Sequence, residues 1–353
     1  MATPGGGKLE RFLKPLKSER KKLVDVTLSG KVEALAVATS RTRILNRLRI
    51  TDILFRQLAR ASAIGVLVIL GGIIVTLIIG GSQAFWTFGF NFLVDETWSP
   101  ASGREKFGAL GAIYGTLVSS FIAMLFAVPI SVLIAVFLTE LCPLWLRRPI
   151  GIAIELLAGI PSIIYGIWGF FIFKPFMQAT LQPALINTFE NVPILSSVFE
   201  GPPYGTGLLT AGLILSIMVL PFITAISRDV FEAVPAVLKE AAYGVGCTTW
   251  EVVWHVVLPY ARVGVIGGIM LGLGRALGET MAVTFIIGNN HRVHSSILAE
   301  GTTISATIAA EFGESTGLHQ SSLVALGLIL FAITFIVLAA ARMLLSRLEK
   351  RVG

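Results

Sequence analysis

Long apolar runs alternate along the chain with short polar, basic or proline-rich links, the pattern of a protein that crosses a membrane several times. Ala61 to Gly80 is uncharged over 20 residues, enough for one crossing, which takes ~20. It is too long and too far from the start for a signal-peptide core, so it is expected to be retained. Phe107 to Thr139 is uncharged and carries Pro129, which predicts a long, kinked second span. A third is predicted from Ile150 to Phe173, where Pro161 opens the backbone ladder. The fourth runs from Gly205 to Ser227 with Pro221 inside, the fifth from Gly264 to Gly288, and the sixth from Gln320 to Ala341.

The links carry their own signals. Residues 81–109 hold Phe85, Trp86, Phe88, Phe90, Phe92 and Trp98, as an aromatic belt at an outer interface would. Residues 174–204, with five prolines, and 289–319, with three of the four histidines, read as outer loops. Ile53, Leu54 and Leu58 at helical spacing beside Arg56 and Arg60 predict a short amphipathic helix on the inner membrane surface. Before it, Gly5 to Gly7 read as disordered, in a basic tail that touches anionic lipid. The organisation expected is a basic segment 1–60, a first membrane helix 61–80, a five-helix domain 107–345 with an elbow at 232–259, and a tail 346–353.

Composition agrees with this layout. Hydrophobic residues make up 54% and charged residues 14%, with mean hydropathy +0.81, against ~25% charged in a soluble domain. The fold class is therefore all-α and integral to the membrane. With both termini inside, 23 of the 28 Lys and Arg residues fall in inner segments and four (Arg104, Lys106, Lys174, Arg292) in outer ones. That bias satisfies the positive-inside rule, and it explains the net charge of +7 without a nucleic-acid partner. Cys142 and Cys247 both fall in inner segments, so no disulfide framework is expected.

The elbow between the fourth and fifth spans is the most patterned stretch. A helix is predicted from about Pro235, suited to a first turn, to Gly246, which can adopt the left-handed geometry that ends one. A second starts at Thr248, with Glu251 three residues on as a capping box, and stops at Pro259. The spacing Glu240-Ala241-Ala242, three residues, Gly246, nine residues, Val256-Val257-Leu258-Pro259 resembles the EAA loop of ATP-binding-cassette importer permeases, with Val256 in place of the usual Ile. The resemblance implies that the elbow is a coupling helix seated in a groove of an ATPase subunit, and that Glu240, Ala241, Ala242, Gly246, Leu258 and Pro259 serve that contact.

The fifth span carries the chemistry. At ~100° per residue, Gly264, Gly268, Gly272, Arg275 and Glu279 share one face of a continuous helix. Glycine at every fourth position lets another backbone approach. Arg275, eleven residues in, would lie near the midplane, where an arginine costs at least ~2.5 kcal/mol unless paired or wetted. A self-neutralising Arg275–Glu279 pair is the plainer alternative, but two apolar residues would be cheaper, and Arg before Glu at i, i+4 is the weaker orientation. A planar, permanently charged guanidinium matches a tetrahedral oxyanion bidentately, so a pathway for phosphate or sulfate is expected.

The runs Ile150 to Ser162, Gly246 to Trp254 and Gly267 to Gly288, within Lys106 to Arg342, are similar to the phosphate-specific permease subunits of type I ATP-binding-cassette importers, the PstC family. The resemblance implies a role for Arg275 and Glu279 in phosphate translocation. It also implies a PstA-like second permease subunit, two PstB-like ATPase subunits that bind ATP and magnesium, and a PstS-like extracytoplasmic binding protein, all at the bacterial inner membrane. It says nothing of the basic tail.

Other signals carry less. Gly5-Gly6-Gly7-Lys8 lacks the spacing and the Ser/Thr of a nucleotide loop, so neither a cofactor nor ATPase activity is expected in this chain. Gly272, Gly274 and Gly278 have the wrong spacing for a dinucleotide loop. His291, His294 and His319, with Glu300, Glu311 and Glu314, read as solvated loop residues rather than metal ligands, and His255 as a packing or interface residue. A sulfate or molybdate permease, an ion-coupled carrier using Glu279 for protons, and an intramembrane enzyme are the competing readings. The elbow argues against the second. The third lacks an intramembrane His, Asp pair or Ser-Lys pair.

Overall fold

Apolar runs without a local polar partner for the backbone become helices in lipid, because only there are all peptide groups bonded within the segment. The computed structural model describes residues 51–101, 105–193 and 195–349. The expectations for the tail 1–50, for Arg104, for the side chain of Arg347, and for Lys350 and Arg351 lie outside them. Among the described residues five helices are long and apolar enough to cross a membrane, and a bent pair supplies a sixth crossing if it counts as one. We label them α1 (Thr51–Phe88), α2 (Leu110–Leu141), the pair α3 (Leu144–Ala158) and α4 (Ser162–Phe189), α5 (Leu208–Glu232), α7 (Thr249–Leu277) and α9 (Gly317–Glu349). Two of the shorter helices are labelled α6 (Ala236–Gly244) and α8 (Ile304–Glu311).

The chain divides into two compact units, 1–73 and 74–353. In the first, residues 51–73 are helical and nearly all exposed. The helix expected at Thr51–Arg60, leading into the first span, is continuous with that span as the opening of α1, and no glycine or proline interrupts the sequence there.

In the second unit α2, α5 and α7 form the centre. Ala123 and Ala127 of α2, Leu215, Met218, Val219 and Ile223 of α5, and Ala276 of α7 share one buried cluster. Small residues make the approach possible: a Cβ at Gly264, Gly268 or Gly272 would meet Val230, Ile226 and Ile223 at 2.5, 3.0 and 2.8 Å. The glycine face expected to receive a neighbouring helix receives α5. Ser131 of α2 donates its hydroxyl to the Leu220 carbonyl at 3.0 Å, next to Pro221, and so joins the two helices near their prolines.

Four expectations are corrected. The third span is not one rod but α3 and α4, bent by 90°. The break falls at Gly159–Pro161, and Tyr165 spans it by donating to the Leu157 carbonyl at 2.9 Å. The loop predicted for 174–204 is helical as far as Phe189, because Pro175 and Pro183 each follow a π-helical turn, Gly169–Phe173 and Met177–Leu181, whose wider ladder accommodates the missing N–H. The second helix of the elbow does not stop at Pro259. A π-helical turn, Val253–Val257, leads directly into Leu258-Pro259, and its wider ladder accommodates the missing N–H. Finally, the fifth span ends at Leu277 rather than Gly288, with Gly278 as its cap. The chain then makes a short helix, Met281–Thr284, and turns at Gly288 and Asn289, both at positive φ, to bridge Gly301.

The aromatic belt is also reassigned in part. Phe85, Phe88, Phe92, Trp98 and Phe107 pack on one another, gathered by the two-stranded ribbon β1 (Trp98–Ser99) and β2 (Lys106–Phe107). Only Trp86 and Phe90 are strongly exposed, at 88% and 85%.

Candidate functional site

Two regions hold the residues singled out by the sequence. The first is the break in α7. Arg275 lies in the last turn of that helix, and its guanidinium sits 4.5 Å above the ring of Phe222, about midway along α5. Its Nε is buried without a hydrogen-bond partner, and no carboxylate pairs with it among the described residues. Glu279, past the helix end and 8% exposed, instead accepts the Ala282 N–H at 3.4 Å. The two charges therefore do not continue one helical face, and the self-neutralising pair is not formed. The unwinding at Gly278 separates them. What remains is a fork of N–H donors held by an aromatic face, the cation–π arrangement, beside a break where backbone groups are free of the ladder. Such a group can receive an anion. Phe222 was missed from the sequence, and only its aromatic character beside Pro221 marks it.

The second region is the elbow. Gly246 has φ +91°, the left-handed geometry expected of it. Thr248 and Glu251 form the reciprocal capping box, with the Thr248 N–H donating to Glu251 Oε2 at 2.7 Å and the Glu251 N–H to Thr248 Oγ1 at 3.4 Å. Glu240, Ala241 and Pro259 are exposed. Ala242 and Leu258 pack against the buried cluster of Phe231, Val252 and Val257. Val237 and Val245 stand 72% and 82% exposed, and Trp250 and Trp254 stack at 5.6 Å on the surface beside them. The face turned away from the bundle is thus largely apolar. His255 is exposed, its Nδ1 3.1 Å from the Glu251 carbonyl.

The remaining histidines are not all solvated. Trp98 Nε1 donates to Glu311 Oε2 at 2.8 Å, and His319 Nε2 lies 2.8 Å from the same oxygen. His319 stacks on Phe107 and His291 on Trp98. Burial holds His291 below the usual histidine range, against a weaker pull from Glu311. His294 is exposed. No group of three metal-ligating side chains occurs among the described residues.

Residues 127–350 match the family model described as binding-protein-dependent transport system inner membrane component. A phosphate transport system permease protein PstC from Mesorhizobium japonicum is 60% identical over 92% of this chain and 100% of its own length. Proteins of the same name from Haemophilus influenzae and, as PstC 1, Mycobacterium tuberculosis are 50% and 38% identical, over 85% and 75% of this chain and 95% and 79% of their own lengths. The crystal structure of a bacterial alginate ABC transporter, in complex with an alginate pentasaccharide-bound periplasmic protein, contains a chain of the same fold. It matches with a TM-score of 0.56 at 18% identity, over 85% of this chain and 98% of that one. The chain belongs to the binding-protein-dependent family of transport permeases, and within it to the PstC branch.

Proposed function

We propose that this chain is the permease subunit of an ATP-driven importer of inorganic phosphate, forming half of the translocation pathway. The observation that carries the reading is Arg275, whose guanidinium keeps its donors unspent at the break in α7. A tetrahedral oxyanion can take two of those donors at once. The relatives named for phosphate transport support phosphate over sulfate or molybdate.

The elbow supplies the coupling. Its exposed face, with Glu240, Ala241, Val237 and Val245, is the surface on which a PstB-like ATPase, holding ATP and magnesium, docks. A second, PstA-like permease completes the pathway, two ATPase subunits drive it, and a PstS-like binding protein delivers phosphate from outside. The chain lies in the bacterial inner membrane with the elbow and both termini in the cytoplasm, the orientation that the excess of Lys and Arg favours. Closure of the ATPase pair rotates the elbow and switches access as a rigid body.

The test is ATP-dependent uptake of labelled phosphate by the reconstituted complex, challenged with excess sulfate and molybdate. Uptake that needs ATP and resists both competitors is expected. Competition by either anion, or uptake without ATP, overturns the assignment of substrate or of energy source.

A further inference from the structure

We infer that the largely buried ion pair between Glu140 and Lys239 is the strut that carries elbow motion into the body of the permease. Lys239 Nζ lies 2.6 Å from Glu140 Oε1 and 3.3 Å from the Phe231 carbonyl. The side chains are 18% and 7% exposed, so both charges are largely withdrawn from water. Such a pair rarely repays its desolvation, and an apolar pair of similar volume would hold the same space more cheaply. What an ion pair adds is a short, directional link.

Its position gives that link a use. Lys239 immediately precedes Glu240, and it is the only charged side chain of α6 that reaches the bundle among the described residues. The helix has no fully buried residue of its own, and Ala242 alone of its side chains joins the neighbouring apolar cluster. Glu140 stands in the π-helical turn Phe137–Leu141 that ends α2. That turn is held from its other side by Arg147, which donates to the Thr139 carbonyl at 3.2 Å and pairs with Glu232 at 3.4 Å. From the turn, α2 runs back along α5 through Ala127 and Ala123 to the cluster that contains Ala276, next to Arg275. A displacement of α6 is therefore delivered to α2 at Glu140, independently of the covalent route through α7. Glu140 and Lys239 are positioning residues, and the inference rests on the elbow being the ATPase docking piece.

The experiment measures phosphate transported per ATP hydrolysed in the reconstituted complex. It compares the wild type, Glu140→Gln, Lys239→Met, and the double variant Glu140→Gln/Lys239→Met, which leaves no buried charge unpaired. Assembled double variant is expected to hydrolyse ATP while the ratio falls by at least about fivefold, a typical coupling between distant sites, and Lys239→Arg is expected to retain the ratio. A double variant that assembles with the wild-type ratio overturns the inference, whatever the single variants do. Failure of the double variant to assemble also overturns it, because the pair would then serve folding rather than transmission. If the wild type itself shows no ATP-driven uptake, the proposed function fails instead, and the two failures are distinguishable.

Discussion

Among the described residues no carboxylate neutralises Arg275: it has one aromatic face beneath it, a buried Nε without a partner, and its nearest acidic neighbour in sequence is engaged elsewhere. Replacing it by Gln keeps the length and some donors but removes the charge. Uptake by Arg275→Gln is expected to fall about tenfold to a hundredfold, the range of one lost charge-assisted hydrogen bond, with the complex still assembled. Loss of assembly, seen by co-purification of the other subunits, would make the residue structural. The sequence marked Arg275 and Glu279 by their cost in an apolar run. It also placed them on one helix face, and that failed for a physical reason. Met281 to Ile287 is apolar but for Thr284, and periodicity does not distinguish a buried irregular segment from a continuing helix. The histidines failed in the opposite direction: Trp98, Phe107, Glu311 and His319 meet through contacts of long sequence separation that no local pattern announces.

The elbow was the most legible element, because each of its signals is local. A cap and its reciprocal carboxylate lie three residues apart, and a turn needs one glycine. Gly246 at φ +91° has open space around a would-be Cβ, so the cost of a side chain there is conformational, about 1–2 kcal/mol. Gly246→Leu is expected to insert and assemble while ATP hydrolysis runs on with little uptake; an unchanged ratio of phosphate to ATP would remove this account of the turn. Less was legible where an element is bent. Pro161 announced an opening in the third span but not a turn of 90°, which depends on how α3 and α4 pack against α5 and the 281–287 segment. Pro259 read as a stop because the sequence gives no sign of the π turn that absorbs it.

At the scale of the molecule, the charge distribution predicts an orientation that the geometry makes testable. Val245 on the elbow and Val94 beyond the far end of α1 are both exposed, at 82% and 67%. With Cys142 and Cys247 replaced by Ser, Val94→Cys is expected to react with an impermeant maleimide in intact cells, and Val245→Cys only in inverted vesicles lacking the ATPase subunits. The reverse pattern would invert the chain. The close contacts of Gly264, Gly268 and Gly272 with α5 also bear on the whole molecule. Joined by the elbow and left no space between them, α5 and α7 form a lever. Its arm from Thr249 to Arg275 is roughly 40 Å at 1.5 Å per residue. A tilt of about five degrees at the elbow end would then shift the guanidinium by roughly 3 Å, the length of a hydrogen bond, so under the proposed function a small movement there would suffice to release an anion held by Arg275.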